Sequence, residues 1–242
     1  VSLTYGDHPD QVVDLWRPPG TPIALLVFVH GGFWRAAFDR THAVPLARDL
    51  AGRGYLVALI EYRRVGQPGG GWPGTLDDVE AAVGAAIEAG RESGPVILAG
   101  HSAGGHLALW CATRHAVSGV LALAPVADLE SGYRLNLGSG AVGAFLGGSP
   151  DEVPERYAAA DPMRNVPLGV PTVLVHGDLD DRVPVAISRR YHQAARTAGD
   201  QVILRELPGL GHFEPIEPDS AAWPAVIEGL TCLGTPTSGG VQ

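Results

Sequence analysis

The chain has 242 residues, 45% of them hydrophobic and 18% charged, with a formal charge of −9 at pH 7. No apolar run reaches the roughly 18 residues of a membrane span, and the negative balance argues against a nucleic-acid partner. All 17 basic residues are Arg, which removes lysine chemistry such as a Schiff base or a Ser-Lys dyad. Two cysteines, Cys111 and Cys232, are too few for a disulfide framework or a thiolate metal site. The first seven residues are polar and carry no basic-then-apolar leader, so a cytoplasmic location is expected.

In chain order, residues 11–16 alternate like an edge strand, and Pro18-Pro19-Gly20 turns the chain. Residues 23–29 are continuously apolar, as expected of a strand buried on both faces. That strand runs into His30-Gly31-Gly32-Phe33-Trp34. Residues 41–52 predict a helix closed by glycine, and 55–60 the next buried strand. The stretch 65–74 is rich in Gly and Pro and reads as a loop. A helix follows, with Thr75 as N-cap and Leu76, Val79, Val83 and Ile87 on one face.

Residues 96–99 form a short β-type run, 103–112 a helix, and between them lies Gly100-His101-Ser102-Ala103-Gly104. Strand, Gly-x-Ser-x-Gly, helix is the context a nucleophile elbow requires. The turn lifts the Ser102 hydroxyl above the sheet edge and beside free N–H groups of the helix. Another buried strand is expected at 119–124. The long segment 126–168 then reads as a small lid, with Ser149-Pro150-Asp151-Glu152 starting a short helix. A strand at 172–176, a helix at 185–199, a strand at 202–206 and a helix at 219–230 complete the pattern. Residues 1–233 are expected to form one domain, and the Gly/Ser/Thr-rich tail 234–242 to be disordered. Strands alternating with helices imply an α/β fold with a mostly parallel sheet, whose post-strand loops gather along one rim.

The chemistry sits on that rim. A serine hydroxyl needs a base, and His212, in the loop after the last strand, is the candidate; His30 competes. The base needs an acid to hold its tautomer. Asp178, Asp180 and Asp181 all follow the strand at 172–176, and position alone does not separate them. Backbone N–H donors stabilise an oxyanion, and the amides of Gly32, Phe33 and Ala103 are the candidates. Trp34, Phe33, Tyr133, Phe145 and Phe213 are the candidate lining of an aromatic-friendly pocket.

These motifs resemble the α/β-hydrolase superfamily over nearly the full length of the chain. His30-Gly31-Gly32-Phe33-Trp34 with the elbow is similar to the kynurenine formamidase (arylformamidase) group. It is similar as well to carboxylesterases of the hormone-sensitive-lipase and feruloyl-esterase-like kind, and Tyr62-Arg63 and Leu76-Asp77-Asp78-Val79 recur in both. The segment 176–184 resembles the acid loop of dienelactone-hydrolase and prolyl-peptidase relatives, and departs from that of the animal formamidases. In that pattern the acid is the third residue after the Gly and four before the Pro, which selects Asp180.

The resemblance implies a cofactor-free, metal-free serine hydrolase with Ser102, Asp180 and His212 as its catalytic set. It would act through an acyl-enzyme on small carboxylic esters or aryl formamides, N-formylkynurenine being one candidate. The partner expected is therefore a small-molecule substrate, with no membrane and no nucleic acid, and the chain a monomer or homodimer. A prolyl-type peptidase and a non-catalytic binding module of the same fold are the alternatives.

Overall fold

The computed structural model describes residues 1–234. Its strands are β1 (Ser2–Thr4), β2 (Val12–Trp16), β3 (Ala24–Val29), β4 (Tyr55–Ile60), β5 (Val96–His101), β6 (Gly119–Leu123), β7 (Thr172–Gly177) and β8 (Val202–Leu207). They form one sheet in the order β1-β2-β4-β3-β5-β6-β7-β8. The β1–β2 and β2–β4 pairs are antiparallel and all others parallel. With flanking helices on both faces, this is the α/β-hydrolase fold.

The apolar runs become central strands because both faces are covered. Along β3, Leu25, Val27 and Val29 pack into one core while Ala24, Leu26 and Phe28 pack into the other, the period-2 alternation of a pleated strand. The first core is closed by α2 (Gly74–Ala89), α3 (Ala103–Cys111) and α7 (Ala186–Thr197). The second is closed by α1 (Val44–Gly52) and α8 (Trp223–Gly234), through Leu46, Leu50, Trp223, Val226 and Leu230. Among the described residues no helix is long and apolar enough to cross a membrane.

Several boundaries differ from the sequence expectation, each for a local reason. Strand β1 is unanticipated, because three residues carry too little periodicity to register. The segment 41–52 splits into a 3-10 turn, Arg40–Ala43, and α1, since Asp39 accepts from Thr41 N at 2.9 Å and starts the turn early. Thr75 does not cap α2. Its hydroxyl donates to Arg63 O at 2.5 Å and accepts from Gly71 N at 3.0 Å, tying the preceding loop to a helix that begins at Gly74. The last helix starts at Trp223 rather than at 219, because Ser220 donates to Glu214 O and closes a turn first. The expectation for residues 234–242 lies outside the described residues except at Gly234, which ends α8.

Between β6 and β7 the chain forms α4 (Leu129–Arg134), α5 (Ala141–Leu146) and α6 (Pro154–Ala160). The reciprocal Ser149–Glu152 bonds do form, at 2.9 and 3.2 Å. They close a turn, and α6 begins only at Pro154, with Val153 before it. Asp161 secures this insertion. Its carboxylate accepts from Leu129 N and Met163 N at 3.1 Å and from Glu130 N at 3.4 Å. Burial pushes its carboxyl up to about 6 despite those bonds, and the charge of Asp128 adds to the rise.

A folded-state value above the ordinary 3.8 means that the native state holds the proton more tightly. The stability this contributes is full below 3.8 and is lost as pH rises through about 6, roughly 3 kcal/mol in all. Asp161→Asn, which never ionises, is therefore expected to gain on the wild type as pH rises from 4.5 to 7.5. Urea unfolding across that range reads the difference, and a difference independent of pH contradicts the assignment.

Candidate active site

The β5–α3 turn is steric in origin. Ser102 has φ 57° and ψ −118°, a left-handed conformation that an L residue holds only under local constraint. A Cβ on Gly100 would stand 2.2 Å from Gly104 O, and one on Gly104 would stand 2.0 Å from Val29 O. Both positions therefore require glycine, because the first turn of α3 presses on the end of β3. Ser102 is 1% exposed, and its Oγ has no hydrogen-bond partner among the described residues. A buried hydroxyl left unpaired costs stability, which asks for a functional explanation.

His212 lies in the loop after β8, and its Nδ1–H donates to Asp180 Oδ2 at 2.6 Å. Asp180 follows β7 and is held on both oxygens. Oδ1 accepts from Arg182 N and Val183 N at 2.8 Å each, and Oδ2 also accepts from His176 Nε2–H at 3.0 Å. The same His176 nitrogen donates to Val183 O at 2.8 Å, so it carries the proton, and His176 Nδ1 accepts from Ser188 Oγ at 2.7 Å. Burial opposes ionisation of Asp180. The hydrogen bonds from His176 and His212 outweigh it and hold the carboxyl well below the usual carboxylate range. The rival carboxylates face elsewhere: Asp178 accepts from Gly209 N at 2.7 Å, and Asp181 pairs with Arg182 at 3.3 Å.

His30, the competing base, is engaged away from the serine. Its ring is bonded to Gly31 O and to Glu61 Oε1, each at 2.8 Å, and stacks on Tyr62. His101 donates from Nε2 to His212 O at 2.8 Å and so anchors the backbone of the histidine loop. Burial, with the charge of His212 added, pushes His101 well below its ordinary value and keeps it neutral.

Beside the elbow runs the loop after β3. A Cβ on Gly31 would meet His101 O at 2.9 Å and Ser102 Cβ at 3.2 Å, so the main chain passes directly against the serine. Gly32 has φ 110°, and a Cβ there would stand 2.4 Å from Phe38 Cβ. The N–H groups of Gly32, Phe33 and Ala103 donate to no backbone acceptor among the described residues. Ser102, His212, Gly32, Phe33 and Phe213 line one cavity of about 960 Å³. Trp34, Tyr133 and Phe145 do not reach it. Trp34 and Phe145 are fully buried, stacked on one another at 4.7 Å, and Trp34 Nε1–H donates to His106. Tyr133 sits on α4 and packs edge-on against Tyr157.

The lining also includes Phe38, His42 and Arg35, which belong to no motif in the sequence, and Arg182, which lies within the acid-loop segment 176–184. The one sequence signal for Phe38 is an aromatic residue a few positions after the Gly31-Gly32 turn. Among the described residues no group of three or more His, Cys, Asp and Glu is placed to hold a metal ion.

The family described as BD-FAE matches residues 13–194. The chain is 29% identical over 244 residues to Esterase LipC of Mycobacterium tuberculosis, covering 87% of this chain and 58% of that protein. It is 26% identical to the probable isoprenylcysteine alpha-carbonyl methylesterase ICME of Oryza sativa, covering 88% and 58%. The chain thus spans a little over half the length of these curated relatives. A shorter match, 26% over 110 residues, covers 45% of this chain and 36% of kynurenine formamidase from Salmo salar. Among solved structures, a truncated carbohydrate esterase from gut microbiota has a TM-score of 0.81 at 18% identity, covering 97% and 96%. Esterase B from Lactobacillus rhamnosis has a TM-score of 0.78 at 19% identity, covering 96% and 84%. At these identities the two structures speak to the fold.

Proposed function

Because the chain belongs to the BD-FAE family and carries the α/β-hydrolase fold, we propose that it hydrolyses small carboxylic esters through an acyl-enzyme on Ser102. One observation carries the reading. An unpaired, buried serine hydroxyl lines the same cavity as an imidazole whose other side is held by an ionised carboxylate at 2.6 Å.

The steps follow from those contacts. His212 takes the Ser102 proton as Oγ attacks the ester carbonyl. The carbonyl oxygen gains the negative charge and meets the N–H groups of Gly32, Phe33 and Ala103. As the carbon–oxygen bond to the leaving alcohol breaks, His212 returns the proton to that alcohol. Water, deprotonated by His212, then attacks the acyl-enzyme, and the proton goes back to Ser102 as the acid leaves. Asp180 holds His212 in the tautomer whose free nitrogen faces away from the carboxylate.

Aryl formamides are a second reading. It is supported by the likeness to kynurenine formamidase from Salmo salar and by the apolar rings of Phe33, Phe38 and Phe213 around the cavity. The discriminating measurement is kcat/KM for p-nitrophenyl acetate and butyrate beside N-formylkynurenine. The ester reading expects the esters to reach about 10⁴ M⁻¹s⁻¹ and to exceed the formamide. A formamide preference of about a hundredfold would transfer the assignment to the second reading.

A further inference from the structure

One part of the cavity wall comes from the insertion between β6 and β7, and the side chain of Arg35 bonds two carbonyls at its tip. We infer that Arg35 is a specificity-determining residue. By tying the insertion tip, residues 135–140, to the loop that carries Gly32 and Phe33, it sets the size of ester the cavity admits. The inference rests on the ester-hydrolase reading for its substrate and on separate geometry for the tie itself.

Arg35 Nη2 donates to Gly138 O and to Ser139 O, the latter at 3.2 Å, across more than a hundred positions of sequence. The backbone of Arg35 is itself fixed, since Arg35 N donates to Gly32 O at 3.0 Å and the residue bridges to Val65. Among the described residues no carboxylate lies within ion-pair distance of Arg35, so its guanidinium serves the two carbonyls. The tip receives what it does not favour by itself. Asn136, Gly138, Ser139 and Gly140 have φ of 53°, 55°, 54° and 81°, and two of these are L residues in the left-handed region. Such residues cost about 1 kcal/mol or more each, so contacts from outside the tip hold it in place. The Phe33 ring also lies across Gly138, where a Cβ would come within 2.8 Å of it. Gly138, Ser139, Phe33 and Arg35 all line the cavity that contains Ser102.

Cutting the tie lets residues 135–140 leave the wall, and bulky esters gain over small ones. The test compares wild type with Arg35→Ala and Arg35→Lys. One readout is the ratio of kcat/KM for p-nitrophenyl octanoate to acetate, together with that for 2-naphthyl to ethyl acetate. The other is hydrogen–deuterium exchange at residues 137–141. At least one ratio is expected to rise about tenfold in Arg35→Ala and exchange to quicken by a similar factor. Arg35→Lys keeps the charge without the fork and is expected to move the same way by less. Ratios within about twofold of wild type, or unchanged exchange, overturn the inference. If wild type turns over none of these esters, the ester reading falls with the specificity claim, and the exchange data alone decide whether Arg35 holds the tip.

Discussion

Ser102→Ala is expected to lower kcat/KM for p-nitrophenyl acetate by about 10⁴-fold or more while the protein stays folded. The size of the loss follows from the proposed role: on that mechanism no acyl-enzyme forms without Oγ, and the amides of Gly32, Phe33 and Ala103 would only assist attack by water. The Ser102 hydroxyl is buried with no partner, so its removal takes away an unsatisfied polar group. Stability is expected to be unchanged or to rise by about 1 kcal/mol. Calorimetry beside the kinetics separates the cases. A variant that loses activity and also unfolds several degrees earlier points to a structural serine.

Asp180→Asn is expected to cost about 10³ to 10⁴ in kcat at pH 7. The hydrogen-bond inventory explains why an isosteric change is so damaging. Arg182 N and Val183 N both donate to Oδ1, so that position must keep the amide oxygen. The Asn NH₂ then replaces Oδ2 and faces two donors, His176 Nε2–H and His212 Nδ1–H. His212 can resolve the clash by moving its proton to Nε2, and that tautomer has no lone pair for the Ser102 proton. His176 retains Val183 O as an acceptor.

The same carboxylate makes a stability statement. Its pKa is depressed in the folded state, so its contribution is present above the ordinary 3.8 and lost as pH falls further, through the folded value. The stability gap between wild type and Asp180→Asn is therefore expected to be wide at pH 7 and to narrow progressively as pH falls from 4 toward about 2. Melting curves across that range check it.

What was legible in the sequence is what local sterics and periodicity dictate. Gly100 and Gly104 could be read because a side chain at either collides with backbone, a constraint that holds wherever a strand turns so sharply into a helix. The central strands could be read because both faces of Ala24–Val29 and Tyr55–Ile60 are buried, leaving unbroken apolar runs. Position after the strand does not separate Asp178, Asp180 and Asp181, and it is the resemblance to a known acid loop, with the acid third after the Gly and four before the Pro, that selects Asp180. What separates them is that Asp180 receives two backbone N–H groups on one oxygen and thereby turns the other toward His212.

The cavity lining was the least legible part. Trp34 sits next to the loop glycines, yet it belongs to the core, because φ of 52° and 56° at Phe33 and Trp34 reverses the chain there. No pattern of neighbours predicts such a reversal. Arg35 reaching Gly138 and Ser139 is likewise a tertiary contact with no local signature.

The central claim is that Ser102 is the nucleophile and that His212 activates it. Treatment with a fluorophosphonate, followed by intact-mass and peptide mapping, tests it most directly. The account predicts one adduct per chain, on the peptide that contains Ser102, formed far more slowly in His212→Ala. Ester turnover by a protein that carries the adduct on another residue, or carries none, would contradict it.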